Sequence, residues 1–283
     1  MAKLSVILEK AELAEDLKEA GADEALIVRS DLSFHAAASF SEEETEKMIQ
    51  TVHQDGMEAG VIADRLFSEG EIEEAGRKLQ CLLEYADTVQ IADPGLVRFA
   101  AGNTGKLIFR PAALITNAAD AAWWMRQGFG SVYVSPLLTY EETEAIVRSV
   151  KGLSLCIHGR QLMSVSARKL LHAYETVIGK SVPKTAVLRE EKREGLMPVF
   201  ENTYGTTVWT DYVLHSFRLL PQVRGDIVRC EINSLLTEDE QLLDTVRLYR
   251  ALLDGGMPDT DAYLEKYRDL PLEEGYYTQK TIR

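Results

Sequence analysis

The sequence predicts an α/β chain closed into a (β/α)8 barrel of the TIM type, on three observations. Short runs rich in Val, Ile and Leu alternate with segments of helical period, as crossover connections of a parallel sheet require. Eight such runs can be counted, and strands buried on both faces read as nearly continuous apolar stretches. A length of 283 residues suits one such barrel with additions. An open doubly wound sheet is the alternative.

The first run, Leu4–Leu8, follows Met-Ala-Lys and meets Glu9 and Lys10 without a cleavage-site pattern, so it reads as a strand and not a signal peptide. Leu13, Leu17 and Ala20 then share one helix face, and Gly21 offers a C-cap before the second strand, Glu24–Val28. Ser41 with Glu44 makes a capping box that opens a helix ahead of the third strand, Glu58–Ile62. Ile72, Ala75, Leu79, Leu82 and Leu83 mark the next helix, and Thr88–Ile91 the fourth strand. Asp93-Pro94-Gly95 reads as an N-cap followed by proline at the first helical position. Leu107–Phe109 is the fifth strand; Asn117 is a cap candidate for a helix whose Trp123 and Trp124 read as packing residues. Val132–Val134, a second capping box (Thr139 with Glu142) and Leu153–Ile157 follow. The eighth strand, Ile227–Ile232, precedes a third box (Thr237 with Glu240) and a helix on Leu242, Val246, Tyr249 and Leu253. The barrel is thus assigned to residues 1–254. Residues 159–225 form an insertion over its C-terminal face, and 255–283 a C-terminal extension.

Several classes are excluded. Apolar residues at 46% and charged residues at 27% are a globular balance, and no run approaches the roughly 20 apolar residues of a membrane span. Cys81, Cys156 and Cys230 are scattered, without a CxxC pair. They suggest small core residues in a cytoplasmic protein, and neither a disulfide framework, a metal site nor a cofactor is expected. No GxGxxG, GxxxxGK[ST], GxSxG or HExxH pattern occurs. The net charge of −14 opposes non-specific nucleic-acid binding. Segment 158–194 runs the other way: Arg160, Arg168, Lys169, Lys180, Lys184, Arg189, Lys192 and Arg193 outnumber Glu175, Glu190, Glu191 and Glu194. A solvated face is the ordinary reading, and a site for an anion or RNA the sharper one.

The chemistry-bearing residues are expected at strand ends. His158 closes the seventh strand, Gly159 lets the backbone turn, and Arg160 and Arg168 follow. A histidine and two arginines at a barrel mouth suit a small carboxylate or a phosphate. The ordinary alternative is a hydrogen-bonded strand-end histidine with arginines lying along the surface. Ser166 with His158 would serve a hydrolase, although no orienting acid is recognisable. Asp64, Asp93, Asn117 and Glu231 are further substrate-binding candidates, with capping the ordinary role of Asp93 and Asn117. Glu231 interrupts an apolar strand, and a lumenal carboxylate needs a partner, which Arg160 or Arg168 would supply.

The stretch IHGRQLMSVSARKLL resembles the strand-then-loop signature of the U32 peptidase-like family, in which His-Gly is followed by Ser-x-Arg, here His158, Gly159, Ser166 and Arg168. GADEALIV, ADPGL at Asp93, ITN ending at Asn117, and CEIN followed by LYRALLD keep the family's order, and PVFENTYGTTVW with LPLEEGYYTQKTIR resembles a shorter Bacillus-type branch. The resemblance implies a barrel. It also implies either peptidase activity, after which the family is named, or hydroxylation chemistry. Relatives of the second kind include a prephenate-dependent system making 5-hydroxyuridine in tRNA, a ribosomal RNA cytidine hydroxylase, and accessory proteins of oxygen-independent ubiquinone synthesis. Several relatives hold a four-iron cluster on four cysteines. Two of those cysteine positions fall here on Leu162 and Lys169, and the second pair has no counterpart after His172, so the iron–sulfur ligands are absent. Asp64 stands where relatives often have Asn, and Pro136 where many have Arg. The first expectation is therefore a component of tRNA uridine hydroxylation, working with a second U32-family subunit and touching tRNA through residues 158–194. A non-catalytic barrel subunit and a peptidase are the alternatives, so whether the chain is itself an enzyme stays open.

Overall fold

Each apolar run of the barrel pairs in parallel with the next, through β1 (Lys3–Ile7), β2 (Glu24–Arg29), β3 (Glu58–Ala63), β4 (Thr88–Ile91), β5 (Leu107–Phe109), β6 (Ser131–Tyr133) and β7 (Leu153–Gly159). An insertion sheet follows, made of β8 (Leu162–Ser166), β9 (Thr185–Arg189), β10 (Leu196–Asn202) and β11 (Gly205–Trp209). The last barrel strand, β12 (Ile227–Ile232), closes the ring by pairing in parallel with both β1 and β7. This computed structural model describes residues 1–111, 114–191 and 195–279. Among them, no helix is long and apolar enough to cross a membrane.

Strand parity builds two cores. Leu4, Val6, Ile27, Val61, Ile91, Leu155 and Ile232 face outward into one continuous core with the helices. Ile7, Leu26, Val28 and Ile62 face inward and meet in the lumen. Below them the lumen is polar. Glu24, without solvent access, accepts hydrogen bonds from Ser5 Oγ (2.5 Å) and Thr88 Oγ1 (2.6 Å) and pairs with Arg229. Gly60 is required here: a Cβ would stand 2.7 Å from both Leu26 and Thr88.

The helices begin largely where their caps place them. Two of the three expected capping boxes form, at Ser41 on α2 (Glu42–Gln54) and at Thr139 on α5 (Tyr140–Ser149). Gly21 takes the left-handed conformation after α1 (Ala14–Ala20). The Thr237–Glu240 box does not form. Thr237 N–H instead closes a turn on Ser234 O, and α7 (Asp239–Leu253) starts after Glu238 without a side-chain cap. Between β4 and β5 the crossover is a 3-10 helix, Pro94–Phe99. Trp124 on α4 (Ala118–Arg126) stacks on Phe109 at 3.9 Å, while Trp123 is half exposed. Cys81, on α3 (Ile72–Tyr85), is exposed, so it is not the core residue its apolar neighbours suggested.

The insertion sheet is antiparallel, ordered β9–β10–β11–β8, with α6 (Leu170–Ile178) between β8 and β9. Among the described residues, two aromatic contacts help tie it to the barrel. Trp209 is buried in the inner cluster with its ring edge-on to His35 at 4.7 Å. Arg65, also buried, lies between the rings of Phe67 (4.6 Å) and Tyr204 (4.1 Å). Removing a buried tryptophan leaves a cavity, so Trp209→Ala should lower unfolding stability in urea by about 3–5 kcal/mol. Trp123→Ala should cost less than about 1 kcal/mol. Equal losses would mean that Trp209 does not plug the barrel.

Candidate functional site

Trp209 stands over the inward residues of β1, β2 and β3. Beside it, over the C-terminal ends of the remaining strands, lies a cavity of about 310 Å³. Barrel strand ends and the loops after them supply Asp64, Ala92, Arg110, Tyr133, Val134, Pro136 and Cys156; the insertion supplies Gln161, Leu162 and Val165. Both family departures noted above, Asp64 and Pro136, are in this lining. Its walls are mainly apolar and its polar groups gather at the floor, the usual anatomy of a small-molecule site.

The floor is organised around Glu231, which has no solvent access. Its Oε1 accepts from Arg110 Nη2 at 2.5 Å; its Oε2 accepts from Tyr133 Oη at 2.8 Å and Gln90 Nε2 at 3.1 Å. These side chains come from β12, the residue after β5, β6 and β4, so one network spans the lumen. Burial works against the Arg110 charge, but Glu231, with Asp64, more than offsets it and holds the guanidinium firmly protonated. Burial and Glu231 hold the Tyr133 phenol well above its ordinary range. Burial and Glu231 likewise push the Cys156 thiol up to about 12, which leaves it a thiol at neutral pH. Asp64 Oδ1 accepts from Ser33 Oγ (2.6 Å) and Phe34 N–H (3.2 Å), while its Oδ2 stands 3.6 Å from Arg110 Nη1. A donor and an acceptor thus lie side by side at the floor.

The expected cluster around His158 does not assemble. At the end of β7 two residues oppose one on β12: Cys156 pairs with Glu231 and His158 with Ile232. This bulge turns His158 out of the lumen parity of Ser154 and Cys156. Its ring packs outside the barrel wall near Phe217, Tyr249 and Tyr263, with Nδ1 3.3 Å from Tyr249 Oη. Burial, and secondarily His215, push its pKa down to about 3, so it is neutral at physiological pH. Arg160 Nη1 donates to Thr210 O at 2.6 Å, and Arg168 is exposed on the insertion. Ser166 pairs with Thr206 in the insertion sheet, and its Oγ accepts from Arg168 N–H (3.1 Å) with no bond to His158. Asp93 caps the 3-10 helix through Gly95 N–H (2.8 Å) and also accepts from Phe67 N–H; Asn117 caps α4 through Asp120 N–H (2.9 Å). Of the sequence candidates, Asp64 and Glu231 alone come together, and the partner of Glu231 is Arg110, not Arg160 or Arg168. Arg110, Tyr133, Gln90 and Gln161 were missed. One signal was available: Arg110 stands two residues after the inward Ile108, immediately past a buried strand.

A four-iron cluster does not fit this chain. Leu162 packs against the inner cluster and Lys169 is exposed at the start of α6; neither offers a thiolate. Among the described residues, no group of three or more His, Cys, Asp or Glu could hold a metal ion.

Two outcomes follow for stability. Arg110→Met leaves Glu231 buried without its counter-charge and should cost about 3–5 kcal/mol in urea unfolding, most of it recovered in the double variant Arg110→Met/Glu231→Gln. No recovery would mean the ion pair is not the cause. For His158 the folded pKa lies below that of the unfolded chain, so its contribution is present above about pH 6.5 and lost as pH falls. Between pH 7 and 5 the wild type should therefore lose about 2 kcal/mol more stability than His158→Phe. Parallel losses would place the imidazole in water.

Comparison with known proteins agrees with the fold. The model of peptidase family U32 matches residues 9–282. The tRNA hydroxylation protein P2 of Bacillus subtilis (strain 168) is 23% identical over 265 residues, covering 89% of this chain and 86% of that protein. Among solved structures, the U32 peptidase Mk0906 superposes with a TM-score of 0.50 at 17% identity, over 82% of this chain and 92% of the other. Tryptophan synthase from M. tuberculosis gives 0.50 at 11% identity, over 89% and 92%. At such identities the structural likenesses speak for the barrel alone. With the family model spanning nearly its whole length, the chain belongs to peptidase family U32.

Proposed function

We propose that this protein takes part in tRNA hydroxylation by holding an uncharged, planar pyrimidine base in the lumen cavity. One observation carries the reading: Arg110 and Asp64 present a donor and an acceptor 3.6 Å apart, beneath apolar walls, while Glu231 already answers the charge of Arg110. Enzymes acting on a base take it out of the stack and read its hydrogen-bonding edge in a pocket. A uracil edge offers a carbonyl and an adjacent N–H, which match this pair. A small carboxylate is the less favoured occupant, because it would meet two carboxylates for one guanidinium.

The reaction itself is suggested by the likeness to tRNA hydroxylation protein P2. Since Leu162 and Lys169 cannot ligate a cluster, electron transfer would fall to a second subunit of the same family, with this chain binding and orienting the base. The insertion borders the cavity mouth at Gln161, Leu162 and Val165, so a nucleotide strand entering there would pass along the segment that carries the basic excess. A peptidase finds less support: Ser166 and His158 are not paired, and Cys156 is held protonated.

Deleting the gene in its host and analysing tRNA by mass spectrometry should show loss of 5-hydroxyuridine-type modification; an unchanged level overturns the function. Restoring the gene with Asp64→Asn should leave modification at least about tenfold below wild type, as expected for losing a charge-assisted hydrogen bond. Lys47→Ala, an exposed change on α2 outside the cavity lining, should restore it fully. Full restoration by Asp64→Asn would overturn the cavity assignment alone.

A further inference from the structure

We propose that the exposed face of α6 is a docking surface for another protein, one whose contact site is apolar at its centre and acidic around it. Six of the nine residues of α6 are apolar (Leu170, Leu171, Ala173, Tyr174, Val177 and Ile178), yet none of the helix is buried. Val177 is 83% exposed and Tyr174 54%. Leu170, Tyr174, Val177 and Ile178 recur at the i, i+4, i+7, i+8 spacing by which a helix lies in an apolar groove. Val187 on β9 and Leu196 on β10 add exposed apolar surface in the same insertion. Isolated helices this short are marginal in water, and exposed apolar patches of this kind mark interaction sites.

The helix is nonetheless firmly built. Leu170 N–H donates to Thr206 Oγ1 (2.9 Å), and Leu171 and His172 N–H donate to the two oxygens of Glu201 (2.7 and 3.2 Å). At the other end Gly179 takes the left-handed conformation, and Glu175 Oε1 accepts from Val182 N–H at 2.7 Å. Its first three amides are satisfied, while its apolar face is left uncovered.

Charge identifies the occupant. Arg168, Lys169, Lys180 and Lys184 flank the helix and are exposed; among the described residues none of the four forms an ion pair. Many bases elsewhere find acids on the chain itself, as in Lys47–Glu43, Arg148–Glu144 and Lys266–Asp244. In a protein with 45 acidic and 31 basic residues, four cations left unanswered in one place call for negative charge from outside. RNA would answer the cations but offers no apolar surface to Val177, Ile178 or Val187. Twofold pairing with a second copy would set like charges against each other around the contact. An acidic protein surface with an apolar groove meets both requirements. The cavity reading is not needed for this, because α6 lines no part of that cavity.

The test places a benzophenone side chain at Val177 of the full-length protein in its native host, with Met257, 98% exposed, as the control position. The expected result is a protein adduct at 177 that resists RNase and is absent at 257. That protein, once purified, should bind the wild-type chain in a salt-sensitive way. Val177→Asp and Lys180→Glu/Lys184→Glu should each weaken binding at least about tenfold while leaving urea unfolding unchanged. An RNase-sensitive adduct, an adduct between two copies of this chain, no adduct above the control, or undiminished binding by both variants would each overturn the proposal.

Discussion

A carboxylate sealed from water is the constraint around which the upper barrel is arranged. Glu231 interrupts an apolar strand and has no solvent access, so its ionised form survives only where charge and hydrogen bonds replace the lost water. Arg110 supplies the charge, and Tyr133 and Gln90 occupy the other oxygen. Because the four groups come from different strands around the ring, satisfying one carboxylate also fixes the relative positions of β4, β5, β6 and β12. A second pair, Glu24 with Arg229, repeats the device one layer lower, where Ser5 and Thr88 complete the shell. Arg229 and Glu231 are two residues apart on one strand, so a single period of the pleat places one member of each layer.

Above those layers the lumen is shared unequally. One side is filled by Leu26, Val28 and Ile62 beneath Trp209, and the other stays open as the cavity. The insertion therefore both plugs the barrel and supplies part of the cavity wall. Its attachment through Trp209 and through Arg65 between two aromatic rings resists sliding, since both contacts would have to break together. The apolar surface it leaves bare on α6 is then not a sign of poor attachment to the barrel.

The alternation of strands and helices was legible because parallel strands buried on both faces carry a continuous apolar signal, and side-chain caps mark helix starts locally. The Ser41 and Thr139 boxes succeeded on that local chemistry. The Thr237 box failed because the chain first turns at Ser234–Thr237, which the spacing cannot reveal. The site was harder to read. Counting by twos from Ser154 puts His158 in the lumen, and one extra residue in the pairing with β12 reverses it. Gly159 hinted at an irregularity: its φ is +103° and a Cβ would stand 2.2 Å from Asn233 O. Nothing local said that the irregularity lay before it. Glu231 was rightly seen to need a cation, but the one it uses lies 121 residues away. Closure of the ring, not proximity in sequence, selects it.

The protonation states around the cavity narrow what this chain could do there. Cys156 is a thiol, and Tyr133 stays a phenol that donates to Glu231. Burial, and beyond it the nearby charge of Arg110, hold His35 neutral behind Trp209. Among the described lining residues Asp64 is the one carboxylate, and its Oδ1 is already engaged by Ser33 and Phe34. Such an inventory can fix the edge of a neutral ring in place. On the proposed reading this chain accordingly recognises the base, and the reactive step falls to the proposed second subunit.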